Sequence, residues 1–180
     1  MIALPAVLCE NDRGVSVVIL GIDPGLASTG FGAITCGRGS ASLARCGAIT
    51  TSPRSHVSQR LFQIHTDLGR LMESLEPEVV AVENIFSLVR YPKAGMMLGG
   101  VMAIIYLAVA QRGARVVEVT PREVKNALAA YGNATKVQVR EVARRALGIG
   151  EVKSFHAADA LAVALTVFYR SYRGKHDILP

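Results

Sequence analysis

Val17-Val18-Ile19-Leu20-Gly21-Ile22-Asp23-Pro24-Gly25 is the stretch from which the rest of the chain can be placed. Residues 17–22 are apolar without interruption, the pattern of a strand covered on both faces. Pro24-Gly25 ends the run, because proline cannot donate to a ladder and glycine turns readily. The stretch therefore predicts an interior strand with a carboxylate, Asp23, at its C-terminal end.

Two more strand-like runs follow, Gly30–Cys36 and Leu43–Thr50, and Gly37–Ser42 between them reads as a hairpin loop. Val57, Leu61, Ile64, Leu68, Leu71 and Leu75 then recur at spacings of 4, 3, 4, 3 and 4, one apolar stripe of a helix that Pro77 stops. Glu78–Glu83 is a short apolar strand with a second carboxylate, Glu83, at its end. An uncharged helix over 94–111 and a strand over Arg115–Val119 come next. Thr120-Pro121-Arg122-Glu123 and Thr135-Lys136-Val137-Gln138 each spell a capping box that opens a helix. Ser154 can cap a last helix running to about Tyr172.

Hairpin-length connections make the first three strands antiparallel, and connections through helices make the later ones parallel. The predicted fold is α/β, a mixed five-stranded sheet flanked by helices. Its 180 residues suit one domain, expected over 15–173, with residues 1–14 as an extension and 174–180 as a tail.

A composition of 51% hydrophobic and 19% charged residues excludes a disordered or fibrous chain. Cys9, Cys36 and Cys46 are an odd set without a CxxC pair, which argues against a disulfide framework or structural zinc and fits a reducing cytosol. The start lacks the basic residues of a signal peptide. Residues 94–111 are long enough to raise the question of a membrane span, but three glycines and the lack of a second apolar segment favour a helix buried in an α/β core. No membrane partner is expected.

Charge is unevenly placed. Residues 1–111 balance 8 basic against 8 acidic side chains, whereas residues 112–153 carry 9 against 4. A local excess of +5 is the footprint of a surface for a polyanion such as nucleic acid, although a merely solvated basic face has the same composition.

Four side chains stand out for chemistry. Asp23 and Glu83 close two strands, and His156 and Asp159 lie i, i+3 on the last helix, hence on one face. Taken singly, each has an ordinary explanation: a turn residue, a solvated strand end, a core histidine, a helix N-terminal acid. Together they can converge at one edge of the sheet, where three carboxylates repel unless a cation sits among them. Oxygen ligands select hard ions such as Mg²⁺ or Mn²⁺, and a pair of such ions promotes phosphodiester hydrolysis. The residues thus point to a metal-dependent nuclease.

Several motifs in order sharpen this reading. Leu20-Gly21-Ile22-Asp23-Pro24-Gly25, Thr29-Gly30-Phe31-Gly32, Val82-Glu83-Asn84-Ile85-Phe86, Val124-Lys125, Lys136-Val137-Gln138-Val139 and His156-Ala157-Ala158-Asp159-Ala160-Leu161-Ala162 resemble the RuvC family of Holliday-junction resolvases over about residues 17–172. The resemblance implies an RNase H-like fold and a cytoplasmic homodimer. It also implies paired symmetric nicks in four-way junction DNA with Mg²⁺ or Mn²⁺, two ions per site, in concert with the RuvA–RuvB branch-migration complex. Carried over residue by residue, Asp23, Glu83 and Asp159 match the metal-binding carboxylates, Asp23 as the bridging one. His156 stands where many members have Asp, as a nitrogen ligand or a base. Phe86 matches an aromatic that stacks on bases, and Lys125 and Lys136 match phosphate contacts. Arg90 and Lys93, in the stretch after Phe86, are additional candidates for DNA contact.

Rival readings are a module that binds junctions without cutting them, a phosphotransferase of the actin and sugar-kinase type, and a nuclease that trims RNA. The phosphotransferases need two such domains, and 180 residues are too few for two.

Overall fold

The computed structural model describes residues 16–37, 39–84, 92–129 and 134–176. Its strands are β1 (Val17–Asp23), β2 (Ser28–Gly37), β3 (Ser40–Thr50), β4 (Val79–Glu83) and β5 (Arg115–Val119). Its helices are α1 (Val57–Leu75), α2 (Pro92–Arg112), α3 (Pro121–Ala129), α4 (Lys136–Ala146) and α5 (Phe155–His176). They form one sheet in the order β3-β2-β1-β4-β5, with β1 central. β1 to β3 pair antiparallel, β4 lies parallel to β1, and β5 lies parallel to β4. This is the mixed sheet that the connection lengths predict.

Alternation along the strands divides the core into two layers. Val17, Ile19, Val79 and Ala81 pack with α3, α4 and α5 on one face. Leu20, Ile22, Val80 and Val82 pack with α1 and α2 on the other. Continuing by twos, Asp23 and Glu83 fall on the α5 face. Both capping boxes form, Thr120 with Glu123 and Thr135 with Gln138, and fix where α3 and α4 begin.

Three details differ from the sequence reading. The β2–β3 strands reach Gly37 and resume at Ser40, so the turn is shorter than the expected loop, and Gly39 supplies it with φ 83°. α5 continues past Tyr172 to His176. α2, which contains the uncharged stretch 94–111, is not wholly buried, which corrects the expectation. Val101, Ile105, Ala108 and Val109 face the core, but Met96 and Leu107 are 74% and 49% exposed. A helix laid on the flank of a sheet can bury only one stripe. By length and composition α2 could span a membrane, but that stripe is packed against α1 and the sheet. The expected extension, residues 1–14, lies outside the described residues.

α5 lies on the sheet at backbone distance. A Cβ on Gly21 would overlap the carbonyl oxygen of Ala160, and a Cβ on Gly30 would overlap that of His156. At Gly32 it would come within 2.7 Å of the Leu161 amide nitrogen. The helix answers with Ala157, Ala160 and Ala164, all buried. Small residues on both sides therefore set the spacing that carries His156 and Asp159 to the end of β1.

Candidate active site

Ile22 of β1 is in register with Val82 of β4, so Asp23 and Glu83 project side by side at the C-terminal ends of adjacent parallel strands. Adjacent strands lie only about 4.8 Å apart, so the two carboxylates crowd each other. Burial, then the charges of Asp23 and Asp159, push the Glu83 carboxyl up to about 7. A hydrogen bond shared with Asp23 acts in the same direction. Burial also raises the Asp23 carboxyl, against the opposing pull of His156. The pair thus favours retaining a proton, the expected response of carboxylates drawn out of water beside one another.

α5 supplies the other two. His156 Nδ1 stands 2.7 Å from Asp23 Oδ2, and the imidazole is half exposed. Asp159, one helical turn on, is mostly buried and does not face empty space. Arg140 of α4 grips it with two parallel bonds, Nε to Oδ1 at 2.7 Å and Nη2 to Oδ2 at 2.9 Å. Lys136 Nζ adds a contact of 3.6 Å to Oδ2. The Arg140 guanidinium lies 4.5 Å above the Phe155 ring. Among the described residues no three His, Cys, Asp or Glu side chains converge as a finished ligand set. The chemistry of the donors nevertheless fits hard divalent ions: oxygen ligands, an excess of negative charge at Asp23 and Glu83, and a nitrogen beside them.

A cleft brings two of these carboxylates, Glu83 and Asp159, together with the basic segment. Glu83, Lys125, Lys136 and Asp159 line it together, over a floor that includes Val124, Val139 and Ala162. Lys125 and Lys136 thus stand at the carboxylates, where the charge map and the resemblance both put basic residues. Lys93 is exposed at the start of α2. Phe86 and Arg90 lie outside the described residues.

Sequence reasoning missed Arg140, though its signal was present: it follows Lys136 by four residues and therefore shares its helix face. It also missed the support behind Glu83. Tyr106 donates to Glu118 at 2.6 Å, Asn84 donates to the other oxygen of Glu118, and the Asn84 amide bonds the Val119 carbonyl at 2.8 Å. That network pins the backbone immediately after Glu83.

The family model that matches residues 19–167 is described as crossover junction endodeoxyribonuclease RuvC. A curated relative of that name from Methylobacterium radiotolerans is 37% identical over 162 residues, 90% of this chain and 77% of the relative. Another, from Chloroflexus aggregans, is 38% identical over 151 residues, 83% of this chain and 92% of the relative. Among solved structures, Thermus thermophilus RuvC in complex with a Holliday-junction substrate is 33% identical and superposes with a TM-score of 0.82, covering 88% of this chain and 96% of that one.

Proposed function

The chain belongs to the RuvC family of crossover junction endodeoxyribonucleases, and from that membership we propose how its own side chains divide the work. It has the RNase H-like fold of that family and is a Holliday-junction resolvase, a divalent-metal-dependent nuclease of recombination and repair. The observation that carries the assignment of roles is the cleft in which Glu83 and Asp159 share walls with Lys125 and Lys136, beside the Asp23–His156 pair.

Asp23, on the central strand, Glu83 and Asp159 would supply the oxygen ligands for two Mg²⁺ or Mn²⁺ ions. Such ions, when bound, lower the pKa of water and neutralise charge on the phosphate and the leaving oxygen. His156 serves as a nitrogen ligand or takes a proton from the attacking water. Lys125 and Lys136 hold the DNA phosphates from the wall of the same cleft, and Arg90 and Lys93 add further DNA contacts. Phe86, two residues beyond Asn84, stacks on bases at the crossover.

Two cuts placed symmetrically need two copies of the site, so the working form is a homodimer. The exposed Met96 and Leu107 of α2 support this, since side chains of that kind gain from being covered by a second copy. RuvA–RuvB is the partner machine and the cytoplasm the place of action.

The test is cleavage of a synthetic four-way DNA junction beside a matched duplex and a matched RNA junction. Paired nicks in the DNA junction alone are expected. Preferential cutting of the RNA would favour the RNA-trimming alternative, and tight binding without cutting would favour a binding module.

A further inference from the structure

We propose that Arg140 is an internal competitor for the metal: a positioning residue that occupies Asp159 in the metal-free protein and must be displaced from it when a divalent ion binds. The inference rests on the reading of Asp159 as a metal ligand and goes beyond it.

The geometry is that of a dedicated pair. Both guanidinium donors meet both carboxylate oxygens, at 2.7 and 2.9 Å, in the fork that arginine alone can offer. The side chains are only 20% and 16% exposed, so solvent does little to weaken the bond. The Phe155 ring backs the guanidinium at 4.5 Å, and the Thr135–Gln138 capping box fixes the first turn of the helix that carries it. Arg140 also acts electrostatically on Asp23, so its charge reaches a second carboxylate of the group. An ion seeking Asp159 meets a ligand already neutralised by a cation of this chain, with Lys136 in attendance at 3.6 Å.

Two consequences follow. The free protein binds divalent ions more weakly than its carboxylates alone allow. In return, the site stays assembled without metal, because three acidic side chains near one sheet edge retain a counter-charge.

The experiment is a Mn²⁺ titration of the full chain without DNA, followed by calorimetry and by water-proton relaxation, neither of which depends on cleavage. Wild type, Arg140→Gln, Arg140→Lys, Asp159→Asn and the Arg140→Gln/Asp159→Asn double variant are compared. Arg140→Gln should bind Mn²⁺ about tenfold more tightly than wild type, with Arg140→Lys between them. Its melting temperature in chelator should fall, and added Mn²⁺ should raise it more than it raises wild type. In the Asp159→Asn background the gain from Arg140→Gln should vanish, as a coupled pair requires. Equal Mn²⁺ affinity in wild type and Arg140→Gln, while Asp159→Asn weakens binding, would overturn the inference and leave the metal site standing. A gain that persists undiminished in the double variant would overturn it too, since it would reflect net charge alone. If Asp159→Asn itself left Mn²⁺ affinity untouched, both this inference and the metal-ligand reading of Asp159 would fall.

Discussion

His156 of α5 and Asp23 of β1 meet at 2.7 Å across 133 positions of sequence, so one contact ties the last helix to the first strand. Imidazole is a softer ligand than carboxylate and suits Mn²⁺ better than Mg²⁺. The wild type should nick faster with Mn²⁺. His156→Asp should keep cleavage and narrow that preference. His156→Ala should lose about ten- to hundredfold at limiting metal, the range typical when a group around a metal is lost. Nicking rates against metal concentration for the three forms check this, and wild-type rates in His156→Ala with both metals would reduce the histidine to a packing role.

Asp23→Asn separates cutting from holding. It removes a charge from the centre of the carboxylates but nothing from the basic wall, so nicking should fall by at least about a hundredfold, as when a single electrostatic stabiliser is lost. Junction affinity should stay the same or tighten. Cleavage and gel-shift assays on one junction decide it, and appreciable cutting by the variant would refute the role.

Lys125 and Lys136 make a quantitative claim. Each phosphate contact adds roughly 0.9 to the slope of log affinity against log salt. Lys125→Ala and Lys136→Ala should each weaken junction binding and lower the slope by about one. An unchanged slope in both would leave them as solvated surface lysines.

Glu83 predicts a pH dependence. Its folded value of about 7 exceeds the ordinary 4.5, so between those limits the folded state holds more protons than the unfolded one. Stability of the metal-free protein should therefore be lost as pH rises through that window, by up to about 3 kcal/mol at 1.36 kcal/mol per unit. Metal binding must expel that proton below about pH 7, so metal affinity should rise with pH up to that point. Melting curves in chelator from pH 5 to 8 should show the fall in wild type and a flatter course in Glu83→Gln; parallel curves would contradict it.

Most of the architecture was legible because it depends on local chemistry. The apolar run of β1, the stripe of α1 and the two capping boxes each name their own secondary structure, and short connections name the strand directions. Asp23 and Glu83 were legible as strand ends, and His156 and Asp159 as an i, i+3 pair. The state of the site was not legible. Whether Asp159 faces a vacant cleft or a guanidinium depends on the packing of α4 against α5, a tertiary relation with no local signature. The exposure of α2 was hidden for a related reason: lack of charge shows that a helix can be buried, but not how much of it is.

The glycine and alanine seam between α5 and the sheet has a further consequence, for how the site can adapt. Backbones in direct contact can neither slide nor roll without collision. Asp23 and the α5 backbone bearing His156 and Asp159 therefore form the stationary jaw of a vice. Adjustment to a substrate falls to the long side chains reaching in from α4, Lys136 and Arg140. Variation at those positions can retune the grip on DNA and metal, whereas the addition of one methyl group at Gly21 or Gly30 would throw the jaw out of true.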